Sequence, residues 1–220
     1  MKKTIILMIF IIIFSFFMIA CNSKNDIEIN LSEKTELYFE GKNDIGKTCG
    51  SISVGEREDP YILDGFHNNM TGYSLIVIKL KESEKQEIET QIVINEKIEN
   101  LILYFNPLNN SYMNDLGYKI KGTDEVFLKY NNETIKFDFV SKNFKIDYKN
   151  AIKLIKNHYF EQIKDKFCVN NEIKAEYYLK ILHIKENYKD IYWCFSVVGQ
   201  NGKFLNILIS VNDENKVFFK

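Results

Sequence analysis

The sequence predicts a mainly β protein in two parts. The first is an antiparallel β-sandwich over residues 33–141; the second is an α+β unit over residues 145–220, one long helix packed on a meander of three to four antiparallel strands. Three observations carry this. Short runs rich in β-branched and aromatic residues recur from Leu37 to Phe139 with turn formers between them, a spacing that favours antiparallel sheets. At Asp147 the apolar period changes from two to steps of three and four. Alternation returns from Ile173 to the end, so strands follow a helix and can bury its apolar face.

Ahead of these parts lies a segment of a different kind. Residues 1–20 place Lys2 and Lys3 before an apolar run, Ile5 to Ala20, and Cys21 follows at once. A charged start, an apolar middle and a small residue at the end are the parts of an export signal. The run is sixteen residues long, whereas a helix crossing the hydrocarbon core needs about 20. Met18-Ile19-Ala20-Cys21 resembles the lipobox of bacterial lipoproteins. That resemblance implies removal of residues 1–20, lipidation of Cys21 with acyl chains such as palmitate, and a body held at the cell membrane or outer membrane, periplasmic or surface-facing. A single acyl chain anchors only marginally, while two hold stably. Residues 21–32 are polar beyond the cysteine and read as the lipidated Cys and its tether.

The strands of the first part are expected at Leu37 to Phe39, Ser51 to Val54, Tyr73 to Leu80, Gln91 to Asn95, Leu101 to Phe105, Glu125 to Tyr130 and Thr134 to Phe139. Asn68-Asn69, Asn109-Asn110 and Asn131-Asn132 separate them. Asn131-Asn132 marks the clearest hairpin, because Asn tolerates the left-handed backbone of tight turns. In the second part Asp147 can cap a helix whose apolar face is Ile152, Ile155, Tyr159, Ile163 and Phe167. Trp193, Phe195 and Val197 then share the strand face that should meet it.

The helix Ala151 to Phe167, the strand Tyr192 to Val198 and the ending Leu205 to Lys220 resemble a PepSY or, more loosely, a cystatin-like domain. Such domains mostly bind or inhibit peptidases or form parts of extracytoplasmic sensors, so the resemblance implies binding and not catalysis.

Charge excludes one class of partner. Without residues 1–20 the chain keeps 27 bases against 30 acids, which makes no wide basic field for nucleic acid. Cys49, Cys168 and Cys194 remain past Cys21 and permit one disulfide. A Cys49 to Cys194 bond would tie the two parts together across a strand face that Tyr178, Leu182 and Ile184 make apolar. No C-x-x-C spacing occurs, and no metal or other cofactor is expected.

Two stretches invite chemistry. Gly41 to Thr48 satisfies G-x-x-x-x-G-K-T, the phosphate-binding loop, but Thr48 leads into the alternating Cys49 to Val54 and not into a helix. A glycine-containing hairpin is expected there, and no nucleotide. Asp59 to Asn69 carries Asp59, Tyr61, Asp64, Phe66 and His67 and is the expected partner-binding loop, since recognition residues concentrate on loops. Asp59, Asp64 and His67 also supply the elements of a metal or acid/base group, the basis of a rival reading as an exported hydrolase. Cysteines paired with His67, His158 or His183 lack the flanking sequence of a nucleophile site. The leading expectation is a lipid-anchored extracytoplasmic binding protein for a protein or peptide partner, without a catalytic site, in a class that includes peptidase-inhibitor and immunity roles. A passive envelope lipoprotein is the third reading.

Overall fold

The computed structural model describes residue 27 and residues 31–62, 69–80, 85–170, 172–183, 190–199 and 202–219. The first part is not a sandwich. Eight strands close into an antiparallel barrel: β1 (Leu31–Lys42), β2 (Thr48–Asp59), β3 (Asn69–Ile78), β4 (Glu87–Ile94), β5 (Lys97–Asn106), β6 (Ser111–Asp115), β7 (Val126–Tyr130) and β8 (Glu133–Phe139). Their order round the barrel is β1-β2-β3-β6-β5-β4-β7-β8, and β8 pairs back onto β1 through Phe39↔Phe139 to Lys42↔Lys136. A sandwich would leave free strand edges, and closure removes them. Alternate residues point inward and fill the interior with Phe39, Ile52, Val54, Ile76, Leu103, Leu128 and Phe137 among others, so the barrel is a packed core and not a pore.

The second part is sewn to the first through β1. Its Leu31 to Lys34 segment pairs in parallel with β11 (Ala175–His183), while Phe39 to Lys42 pairs with β8. The partner changes at a bulge, where the register against β2 shifts between Thr35 and Leu37. A bulge bends and twists a strand locally, and here it lets one strand serve two sheets. Gly55 lies opposite: a Cβ there would fall 1.9 Å from the Lys34 carbonyl oxygen, so only glycine fits.

Beyond β11 the sheet continues through β12 (Ile191–Gly199), β13 (Phe204–Ser210) and β14 (Val217–Phe219), an antiparallel meander. The one long helix expected to cover it is two short ones, α1 (Tyr148–His158) and α2 (Phe160–Phe167). Tyr159 breaks the run with φ −126° and ψ −3°. Asn157, His158, Tyr159 and Phe160 are all weak helix formers. The Tyr159 ring instead packs edge-on against Phe219, 5.3 Å between centroids. Asp147 caps α1 by accepting from Asn150 N at 2.8 Å. Ile152, Ile155, Ile163 and Phe167 meet Trp193, Phe195 and Val197 in a second core, to which Ile27 and Leu31 also belong. Trp193 Nε1 donates to the Ile146 carbonyl at 2.7 Å. Two short strands, β9 (Cys168–Val169) and β10 (Glu172–Ile173), pair with each other after α2. Among the described residues no helix is long and apolar enough to cross a membrane.

Candidate binding site at the open end of the barrel

The barrel has two unlike ends. β1 runs from one to the other, about 35 Å at the usual rise per strand residue. At the end where β1 begins, the 116–125 connection folds across the interior and places Ile120 in the barrel core. Ser74 holds it there: its Oγ donates to the Tyr118 carbonyl at 2.6 Å and accepts from Ile120 N at 2.9 Å. Asp115 Oδ1 accepts from Ser74 N and Gly117 N, and its other oxygen takes the Arg57 guanidinium. Four more charges form a closed alternating ring at the same end. Lys34 Nζ lies 3.1 Å from Glu36 and 2.9 Å from Glu56, and Lys119 Nζ, from the closing segment, bridges Glu56 at 3.2 Å and also Glu36. The hydrogen bond from Lys34 draws the Glu56 pKa below its ordinary value against the opposing effect of burial, and Lys119 adds to the lowering.

The expected partner-binding loop leaves from this closed end. Asp64, Phe66 and His67 lie outside the described residues, as does Cys21. Asp59 ends β2, and Tyr61 turns onto β11, where its hydroxyl accepts from Lys180 Nζ at 2.8 Å and its ring meets Tyr178 edge-on at 6.3 Å. Lys180 also pairs with Glu33, 2.7 Å away and only 6% exposed. Burial pulls the Lys180 pKa down, but the Glu33 carboxylate and the Tyr61 hydroxyl together more than restore it, leaving it raised. Tyr73, buried beside them, bonds Thr35 Oγ1 at 3.0 Å, and burial, with Glu33 adding to it, raises its phenol far above the ordinary value. The Arg57 guanidinium packs over both the Tyr61 and Tyr73 rings. Sequence reasoning singled out Tyr61 alone from this cluster. The cluster's charges are matched to one another across β1, β2 and β11, as in a joint between two units.

The two cysteines of the expected disulfide lie on different strands, Cys49 in β2 and Cys194 in β12. Cys49, Cys168 and Cys194 are free thiols in the structure, and the Cys49 to Cys194 bond is not formed. Cys49 Sγ points to the Gly41 carbonyl at 3.7 Å, on the barrel. Cys194 sits on the sheet face away from the helices with Tyr192 and Leu208, and burial pushes its thiol pKa up. His183 faces Glu40 at 3.1 Å. Among the described residues no group of three or more His, Cys, Asp or Glu side chains is placed to hold a metal ion.

Among the described residues no segment folds across the other end of the barrel. There a cleft of about 780 Å³ lies between the β1–β2 hairpin, the β7–β8 hairpin and the residues that follow β3. Its floor is the last layer of the barrel core: Cys49, Leu80, Tyr130 and Ile135. Its rim carries Asn43, Asp44, Ile45 and Lys47 from the first hairpin, Asn131 and Glu133 from the second, and Lys79 after β3. The phosphate-loop pattern therefore falls on this rim, as a hairpin leading into strand β2. Its glycines have packing and turn roles. A Cβ on Gly41 would meet the Phe137 ring at 2.7 Å, and Gly46 takes φ +75°. Three of the loop's N–H groups are already used: Asn43 N donates to the Lys47 carbonyl at 3.1 Å, Gly46 N to the Asn43 carbonyl at 2.7 Å and Lys47 N to Asn43 Oδ1 at 3.0 Å.

Lys47, Lys79, Asp44 and Glu133 contrast with the charges of the closed end. Among the described residues none of the four enters an ion pair or a side-chain hydrogen bond. Ile45, between them, is 69% exposed. Sequence reasoning missed Lys79, Tyr130, Glu133 and Ile135 as site residues. Nothing local marks them, because barrel closure alone brings the β7–β8 hairpin beside the β1–β2 hairpin. No protein-family model, curated protein or solved structure matches the chain.

Proposed function

We propose that the chain is a lipid-anchored extracytoplasmic binding protein that holds a protein or peptide partner at the open end of its barrel and performs no reaction on it. The observation that carries this reading is the contrast between the two ends. The closed barrel pairs Lys34, Glu36, Glu56 and Lys119 with one another where it is plugged, and among the described residues it leaves Asp44, Lys47, Lys79 and Glu133 without ionic partners, beside the exposed Ile45, round the cleft at the other end. Clefts of about 300–1,000 Å³ at the mouths of barrels are common binding sites, and recognition residues sit on loops held by such scaffolds.

Polarity along β1 supports the anchored arrangement. The chain enters the fold at the closed end, so a lipid on Cys21 would hold that end towards the membrane and leave the cleft facing away from it. Ile27 is buried in the second core and Leu31 opens β1, so the link from a lipid on Cys21 to the packed body is shorter than the expected 21–32 tether and would preserve that orientation. The test is site-specific photo-crosslinking in cells. A photoreactive residue at position 45 is expected to give a discrete adduct, and one at position 98, on the outer wall of β5, is not. Equal labelling from both positions, or none from position 45, would reject the mouth as the binding site. Mass spectrometry of the mature N-terminus tests the anchor separately: an intact Met1 would rule it out.

A further inference from the structure

Resting on that reading, we infer that the cleft takes a short peptide segment with both termini free, its carboxylate at Lys47 and Lys79 and its ammonium at Glu133 and Asp44. Three features of the cleft lead there. The unpaired charges are of both signs, two bases and two acids. A ligand of one sign would meet two like charges inside the same cleft, and a like charge at close range disfavours binding. The signs are also ordered round the rim: Glu133 opens β8 and Asp44 follows β1, whereas Lys47 leads into β2 and Lys79 follows β3. The floor joining them is apolar and aromatic, with Leu80, Tyr130 and Ile135, and suits side chains lying between the two termini.

The same features weigh against other charged ligands. A nucleotide or free phosphate brings only negative charge, which Asp44 and Glu133 on the same rim oppose, and three of the hairpin's N–H groups are already bonded within it. A zwitterionic lipid headgroup shares the pairing of charges, but the cleft lies at the end of the barrel opposite the point where the chain enters. Capture of a peptide by its terminal groups follows the general pattern of carboxylate and amine recognition in preorganised pockets.

The experiment uses the full-length protein in detergent and pools of random-sequence tetrapeptides in four forms: both termini free, N-acetylated, C-amidated, and both blocked. Retained peptides are quantified by mass spectrometry. The free pool is expected to be retained about fivefold over each singly blocked pool, the scale of one weakly screened ion pair. In K47A/K79A the penalty for C-amidation is expected to disappear while that for acetylation stays. In D44A/E133A the reverse is expected. K47R/K79R should restore the wild-type preference, and circular dichroism on each variant reports whether the barrel is intact. Equal retention of the four pools, no retention of any, preferences that survive in the variants, or displacement of the free pool by phosphatidylethanolamine vesicles overturns the inference. Crosslinking from position 45 separates the two levels. If a partner is still captured there when the peptide pools show no preference, the mouth stands as the site and only its ligand class falls. If capture fails as well, both fall.

Discussion

The two ends of the barrel are built from similar residue types to opposite effect. At the closed end Lys34, Glu36, Glu56 and Lys119 are locked in a ring of ion pairs, and Ser74 and Asp115 fasten the segment that covers the core. At the open end Asp44, Lys47, Lys79 and Glu133 have no ionic partners among the described residues and flank a cleft. The comparison teaches that lysines and glutamates stabilise a fold only where backbone geometry brings them into register. Where they stand unmatched round a cavity, their electrostatic capacity is left for a ligand.

That contrast can be broken most severely at Gly55. Gly55→Ala would drive a Cβ into the Lys34 carbonyl at 1.9 Å and is expected to cost about 3 kcal/mol or more, read as a shift in urea midpoint. Next is Ser74→Ala, which leaves the Tyr118 carbonyl and the Ile120 N–H without their buried partner and should cost about 1–3 kcal/mol. The same denaturation series should show a milder loss for Gly46→Ala at the open end. Nothing lies within 4 Å of a Cβ there and only the positive φ resists, so about 1 kcal/mol is expected.

Lys119→Ala removes one corner of the charge ring and should cost about 0.5 kcal/mol, a difference that vanishes in ~1 M salt. Its pH dependence has a defined sign. Glu56 is depressed in the folded state, chiefly by the Lys34 hydrogen bond, with burial opposing and Lys119 helping. Its contribution is therefore present above the unfolded carboxylate pKa, about 4.3, and is lost as pH falls through the lower folded value. Urea midpoints measured downward from pH 5 should fall less steeply in Lys119→Ala than in the wild type. Smallest of all, Lys47→Ala and Glu133→Ala should leave stability within about 0.5 kcal/mol. A large loss in either would mean that the mouth is braced and not open.

What was legible in the sequence follows the reach of each interaction. Asn131 takes φ +52° in the two-residue turn between β7 and β8, as its type and flanking alternation predict. The Asp147 cap and the Trp193, Phe195, Val197 face are equally local signals. The turn at Asn95-Glu96 was missed, since both residues take positive φ and Glu gives no cue to that. Barrel closure was invisible because it rests on Phe39 meeting Phe139 and on β3 pairing with β6 in place of β4. Alternating strands carry no mark of which edge they will join. The helix read as continuous over-trusted its apolar spacing, which both halves keep, and ignored the weak formers at Asn157 to Phe160. The candidate site moved for the same reason: its rim is assembled from hairpins that neighbour each other only after the barrel closes.

The split pairing of β1 has a mechanical meaning. A pull on the chain ahead of Leu31 is met first by Ile27, buried in the second core, and then, where it acts along the axis of β1, by the pairings of that strand. The hydrogen bonds to β2, β11 and β8 run across that axis, so the load falls on them together in shear and does not peel them one at a time. A body tugged by its leading end would thus resist through both cores at once, with the cleft at the far end of the loaded strand.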